Sequence, residues 1–253
     1  MAGYLRLRQI CLVASDIGKA EADLSAVLGV PVCYRDPNGA PFGLENLLFP
    51  LGPDILEVVV PTRDDTAAGR FLERSGGRGG YMVIMDCDDV PRRRAQAEAA
   101  GVRVIHTSDY PGYAGVQLHP RDCRAAMLDF NCTEGGARLD GPYHPAGDDW
   151  PSIVKVDALP RLDSITVEST DPDGLAAHWG RIMELPVLPG PELRPTRGRI
   201  TFERCDSGER LIGLTLAVVD PAGTLAAAVA RGLEHGPDWV WLCGVRIGLV
   251  RAA

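Results

Sequence analysis

In four short stretches of the chain, apolar and mixed positions alternate every second residue, and each stretch closes on an aspartate ahead of a helix-patterned segment. The copies begin at Gln9, Met82, Ser164 and Gly213, and their aspartates are Asp16, Asp89, Asp171 and Asp220, always seven residues on. A spacing kept four times is an internal repeat, and it organises everything else. Strand side chains point alternately to opposite faces, so Ile10, Leu12 and Ala14 share one face while Gln9, Cys11 and Val13 share the other. Val83 and Met85 oppose Met82, Ile84 and Asp86 in the same way. The apolar face is expected to carry the helix, which leaves the mixed face for chemistry. The four aspartates read as helix caps, because a short carboxylate can accept from the free N–H groups of a first turn. Pro91, Pro172 and Pro221 suit first-turn positions, and the helices are expected to end near Gly29, Gly101, Leu185 and Gly232.

Downstream of each helix in the first half, the pattern predicts three strands. PVCYR (31–35), LENLLF (44–49) and ILEVVV (55–60) follow the first helix, and RVIHT (103–107), AGVQLH (114–119) and AAMLDF (125–130) follow the second. Each unit is therefore β-α-β-β-β. Glu57 lies 48 residues beyond Gln9 and Asp129 lies 47 beyond Met82, so both last strands aim a carboxylate at the mixed face. Residues 61–80 hold a charged helical piece and the flexible-looking SGGRGG, and residues 135–160 are rich in Gly, Pro and Asp, as a linker would be. The third and fourth copies, over 161–205 and 211–253, are shorter, and the prolines of PVLPGPELRPTRG (186–198) exclude a regular central strand there.

Composition narrows the function classes. A net charge of −8, with one short basic run at Arg92–Arg94, argues against a nucleic-acid partner. No stretch approaches the roughly 20 apolar residues of a membrane span, and the first residues lack the long apolar region of a signal peptide. Seven scattered cysteines without a CxxC pair point to reduced thiols and a cytoplasmic location.

The order strand–Asp–helix–Gly followed by strands ending in Leu-Glu-x resembles the vicinal oxygen chelate superfamily, which includes glyoxalase I, methylmalonyl-CoA epimerase, bleomycin resistance proteins and extradiol dioxygenases. GGYMVIMDCDDV (79–90), QLHPRDCRAAMLDF (117–130) and HGPDWVWLCGVRIGLV (235–250) carry the likeness. The resemblance implies an α+β fold of four tandem βαβββ modules, the last two degenerate, forming two glyoxalase-like domains with curled mixed sheets. Residues 1–134 would be the first domain, with modules at 1–62 and 79–134 around the active cup. Residues 135–160 would be the linker and 161–253 the degenerate second domain.

That likeness also implies a site. Family ligand positions fall on Gln9, Glu57, Met82 and Asp129, so Gln9, Glu57 and Asp129 are the candidate ligands of a divalent Mn, Mg, Zn, Ni or Fe ion. Met82 stands where the family has His, and a thioether is a soft ligand poorly matched to these ions. Asp129 stands where the family has Glu and reaches one methylene less. Without metal, two neighbouring carboxylates repel, one pKa rises, and an acid–base pair results.

The implied activity is small-molecule lyase or isomerase chemistry by proton abstraction beside a carbonyl, with Glu57 and Asp129 catalytic. Gln9, Met82, Cys11, Met127, His119 and Tyr113 are the candidate substrate-binding residues. The alternative is a sequestering protein of the bleomycin-resistance type, and a ring-cleaving dioxygenase comes third. The second half weakens the dioxygenase, since Ser164, Gly213, Gly248 and Glu203 occupy its ligand positions. Small-molecule ligands, no nucleotide cofactor, no nucleic-acid or membrane partner, and a monomer or homodimer complete the expectations. His106 reads as an edge histidine, Tyr110 and Tyr113 as a loop over the cup, and His178 and Trp179 as core.

Overall fold

The computed structural model describes residues 3–252. In chain order the first half contains β1 (Leu5–Val13), α1 (Ile17–Leu28), β2 (Leu44–Leu51), β3 (Asp54–Pro61), α2 (Ala67–Arg74), β4 (Gly80–Cys87), α3 (Val90–Ala99), β5 (Val104–Tyr110), β6 (Tyr113–Leu118), α4 (Pro120–Cys123) and β7 (Met127–Thr133). Then come α5 (Trp150–Ile153), β8 (Arg161–Ser169), α6 (Pro172–Met183), β9 (Glu192–Leu193), β10 (Arg199–Arg204), β11 (Glu209–Val218), α7 (Pro221–Ala230), β12 (Trp239–Leu242) and β13 (Val245–Arg251). They build two open mixed sheets, ordered β2-β3-β1-β4-β7-β6-β5 and β12-β13-β11-β8-β10-β9. The fold class is the one the repeat implies.

The four first strands are the structural centre. β1 pairs antiparallel with β4 and β8 with β11, while each also pairs parallel with the last strand of its own module. Asp16, Asp89 and Asp171 each accept a first-turn backbone N–H, from Lys19, Arg92 and Gly174; Asp220 sits at the N-cap position without that bond. Gly29 closes α1 at φ 69°, a left-handed value that glycine adopts without a Cβ clash. Glu184 rather than Leu185 is the left-handed cap of α6.

Only the second module has three strands after its helix. PVCYR contributes one bridge, Tyr34 to Leu48, where a full strand was expected. Pro31 has no N–H to give a ladder, and Asp36 caps a 3-10 helix over Pro37–Phe42 that turns the chain away. Modules three and four keep two strands each after their helices, the shortest being β9.

One apolar cluster runs through both sheets, joining Ile10, Leu12, Val83 and Met85 to Ile165, Val167, Leu214 and Leu216. The fully buried Trp179 of α6 donates from Nε1 to the Cys123 carbonyl oxygen at 2.8 Å, and buried Arg93 of α3 donates to Met183 O at 3.0 Å. SGGRGG, which reads as flexible, is a tight crossing in its last two residues. A Cβ on Gly79 would lie 1.9 Å from Cys243 O, and one on Gly80 would lie 2.0 Å from Leu211 O. Residues 135–160 likewise pack rather than dangle: Tyr143, Ala146 and Trp150 are buried against Leu48 and Ile55. Among the described residues, no helix is long and apolar enough to cross a membrane.

Candidate functional site

A cavity of about 580 Å³ opens on the mixed face of the seven-stranded sheet. Period-two alternation delivers its floor: Gln9 and Cys11 from β1, Glu57 from β3, Met82 and Ile84 from β4, and Asp129 from β7 all line it. Register makes the two wings match, because Cys11 sits beside Glu57 in the β1–β3 pair and Ile84 beside Asp129 in the β4–β7 pair. Asp36, Phe42, Tyr110, Tyr113 and His144 contribute to its wall. Phe42, closing the 3-10 helix ahead of edge strand β2, and His106, on edge strand β5, approach to 6.4 Å between ring centroids.

Glu57 is held from both sides. Gln9 Nε2 donates to Oε2 at 2.8 Å and Asn46 Nδ2 donates to Oε1 at 2.9 Å. Gln9 is oriented in turn by Tyr143, whose hydroxyl donates to Gln9 Oε1 at 3.0 Å. Behind them Arg8 is fully buried, with its guanidinium 4.9 Å from the Tyr143 ring centroid and Nη2 donating to Leu139 O. The acceptor sides of Gln9 and the donor of Tyr143 thus satisfy each other, which fixes the amide with its nitrogen towards Glu57.

The two carboxyls differ in environment. Burial raises the Glu57 pKa, and the Asn46 and Gln9 amides work against that rise by favouring the ionised form. Asp129 is 6% exposed. Burial lifts its pKa to about 7, the bonds from Asn131 and Gln117 oppose the rise, and the Glu57 charge adds to it. Asn131 Nδ2 reaches Asp129 Oδ1 only at a long 3.4 Å. The site therefore combines an acid at Asp129 that titrates near neutral pH with a second carboxyl at Glu57 whose ionised form two amide donors favour against burial. Cys11 is buried and its thiol is pushed well up, first by burial and then by Glu57, so it packs as a neutral group.

Not every candidate arrives at the cavity. Tyr113 does, stacked with Tyr110 and His144 at centroid distances of 5.2 and 4.6 Å, while Tyr110 Oη and His144 Nε2 lie 2.8 Å apart. Met127 sits beside Met82 in register and packs with Cys11 and Ile84 on the same face, outside the cavity lining. His119 caps α4 by accepting the Arg121 N–H and neighbours Arg103 and Asp122, away from the cavity. The family hairpin that suggested it is present; the ring simply faces its own turn. Asn46, Asn131 and Gln117 were legible by period two as neighbours of Glu57 and Asp129 on the same face, whereas nothing local singles out Tyr143 or His144.

The donor set does not fit a hard divalent ion. Both Glu57 oxygens and the Gln9 oxygen are engaged, Met82 supplies a thioether, and no group of three His, Cys, Asp or Glu able to hold a metal occurs among the described residues. Adding Mn²⁺, Ni²⁺ or Zn²⁺ at about 100 µM to chelator-treated protein is accordingly expected to leave its thermal midpoint unchanged. A site with micromolar affinity would add about 2.7 kcal/mol at a hundredfold excess and be plainly visible.

No family model matches the sequence, and no curated protein matches it. Solved structures do resemble it. A hypothetical protein from Staphylococcus aureus superposes over 98% of this chain and 99% of its own, at TM-score 0.68 and 8% identity. A triple mutant of 4-hydroxymandelate synthase from Streptomyces coelicolor superposes over 93% of this chain and 76% of its own, at TM-score 0.66 and 15% identity. A methylmalonyl-CoA epimerase variant from the same organism, complexed with 2-nitronate-propionyl-CoA, covers 51% of this chain and 98% of its own at TM-score 0.46 and 22% identity. The chain has the vicinal oxygen chelate, glyoxalase-like fold. At these identities the likeness speaks for fold, and function has to come from the cavity.

Proposed function

We propose that the protein is a small-molecule isomerase that moves a proton at a carbon next to a carbonyl without a divalent metal. Residues 1–134 are the domain that carries the site, 135–160 supply its His144–Pro145 wall and the Tyr143 behind Gln9, and 161–253 form a second domain. The observation that carries this reading is the pairing of Glu57 with Asp129 on one cavity floor, the latter with its pKa at about 7. Glu57, held by two amides that favour its ionised form, is the base. Asp129, protonated, is the acid. Glu57 takes the proton from carbon, the carbon's electron pair becomes the enol double bond, and the carbonyl oxygen receives the Asp129 proton. Reversal, with the proton returned to carbon at a new position, restores both carboxyls. An acid with pKa near the working pH is the efficient choice for such a transfer.

The test is deuterium wash-in. The purified protein, in D₂O with aryl ketones and 2-amino-1-arylethanones, is expected to label the carbon beside the carbonyl. Glu57→Gln, which keeps the side chain's size and removes its basic carboxylate, should slow labelling by about 100-fold. Labelling by Glu57→Gln at the parent rate would end the proposal. A second reading, sequestration without turnover, draws on one feature: among the described residues no Lys or Arg lines the cavity to steady an enolate oxygen. It predicts tight binding of a panel member, unchanged in Glu57→Gln, with no labelling.

A further inference from the structure

The cavity's charge and its unpaired groups say more about the ligand than the proton chemistry does. Its lining includes three acidic side chains, Asp36, Glu57 and Asp129, and among the described residues lining it there is neither Lys nor Arg. The buried cation nearby in sequence, Arg8, donates from Nη2 to Leu139 O, lies over the Tyr143 ring and is not part of the lining. Aromatic faces come from Phe42, Tyr81, Tyr110 and Tyr113. Asp36 and Asp129 both act electrostatically on the Tyr113 hydroxyl, so that ring lies within reach of both acids. An anionic ligand would enter this space against like charge and would find no guanidinium or ammonium to pair with.

A second observation is independent of charge. Asn131 lines the cavity, is 1% exposed, and its Oδ1 has no hydrogen-bond partner. Its orientation is set by Nδ2, which faces the acceptor Oδ1 of Asp129. What remains is a buried acceptor on a cavity-lining residue without a donor, and a buried acceptor left so is costly. A ligand N–H satisfies it.

We infer that the ligand carries a protonated primary or secondary amine on an aromatic or apolar body, its N–H groups donating to Asn131 Oδ1 and its charge held by the Asp36 side of the tyrosine wall. The inference rests on the cavity being the ligand site, as in the function proposed above, but not on the proton transfer. A quaternary ammonium would meet the acids and the rings yet leave Asn131 unpaired. An N–H-bearing cation meets all three, with the aromatic faces adding to the attraction.

Three probes with one indole body separate the possibilities: tryptamine, its neutral alcohol analogue tryptophol, and the anion indole-3-propionate. Isothermal titration of the full-length protein at neutral pH and low salt is expected to rank tryptamine tightest, about tenfold or more ahead of tryptophol, with indole-3-propionate weakest. Asp36→Asn keeps the capping ability of the side chain while removing its charge. It should weaken tryptamine about threefold or more and leave tryptophol as it was. Equal affinities, a preference for the acid, or no tryptamine binding up to about 10 mM would overturn the inference. The two proposals fail separately. A tryptamine preference without deuterium labelling of any ketone keeps the ligand class and removes the chemistry. Labelling of neutral ketones with no preference for the amine does the reverse.

Discussion

Gly80→Ala is expected to be among the most destabilising single substitutions in the chain. The position opens β4, and its backbone has no left-handed φ to excuse a glycine. What it needs is room. An added methyl would lie 2.0 Å from the Leu211 carbonyl oxygen and 2.9 Å from both the carbonyl carbon and the Cβ of that residue. The obstruction is main chain of β11, which itself pairs with β13 and β8, so neither partner can step aside alone. Relief would mean parting the two sheets where they cross, next to Gly79, whose N–H donates to Gly244 O at 3.1 Å. A cost of about 4 kcal/mol or more is in the range reached by backbone strain and overpacking, and for a chain of this size about 2–4 °C is lost per kcal/mol. Thermal unfolding should therefore start roughly 10 °C lower, with much of the variant insoluble on expression. Gly76→Ala is the control within the same SGGRGG segment. It has φ 66° and nothing within 4 Å of its added methyl, so only the left-handed strain of about 1–2 kcal/mol applies. If the two variants melt within about 2 °C of each other, the crossing is softer than the geometry says.

Gly80 also shows where a single sequence is informative and where it is not. Glycine-rich SGGRGG looks the same whether its residues serve a turn or a backbone crossing, because the partner of the crossing lies more than a hundred residues away at Leu211 and Cys243. Local regularities fared better. The seven-residue spacing located all four central strands and helix starts, and period two placed Gln9, Glu57, Met82 and Asp129 on one floor. These follow from the strand itself and need no partner. PVCYR shows the limit: its β-patterned residues are overruled by Pro31 at its start and Pro37 after, leaving a bridge. Tyr143 shows it more sharply. Its bond to Gln9 spans 134 residues, from a stretch whose Gly, Pro and Asp content reads as linker. That bond decides which end of the Gln9 amide faces Glu57, and hence whether the site offers a metal an oxygen. The metal question, which in the sequence turns on Met82, turns in the structure equally on Tyr143.

Asp129→Asn is expected to stabilise the protein above neutral pH while abolishing proton transfer. The sign follows from linkage. The carboxyl titrates at about 7 in the folded protein against 3.8 for the ordinary group, with burial as the main cause. Between those values the folded state holds a proton that the unfolded chain has released, so stability is lost as pH rises from about 4 towards 7. Below that window the protonated acid is tolerated in both states and there is no deficit. Above it the folded protein carries a buried charge that the hydrogen bonds from Asn131 and Gln117 only partly offset. A shift of this size corresponds to a ceiling of about 4 kcal/mol, and water reaching the cavity floor will bring it nearer 2 kcal/mol. Asparagine has the same shape and no charge, and its oxygen can still accept from the two amides. Glu57 is raised in the same direction in both proteins, so its contribution cancels in the comparison to first order. Denaturant titrations at pH 4, 6 and 8 should find parent and variant equal at the lowest pH, with the variant's advantage growing to its full value at the highest. A variant less stable at pH 8, or an advantage independent of pH, would mean that Asp129 is solvated or paired in solution, and the acid in the proposed transfer would then have to be another group.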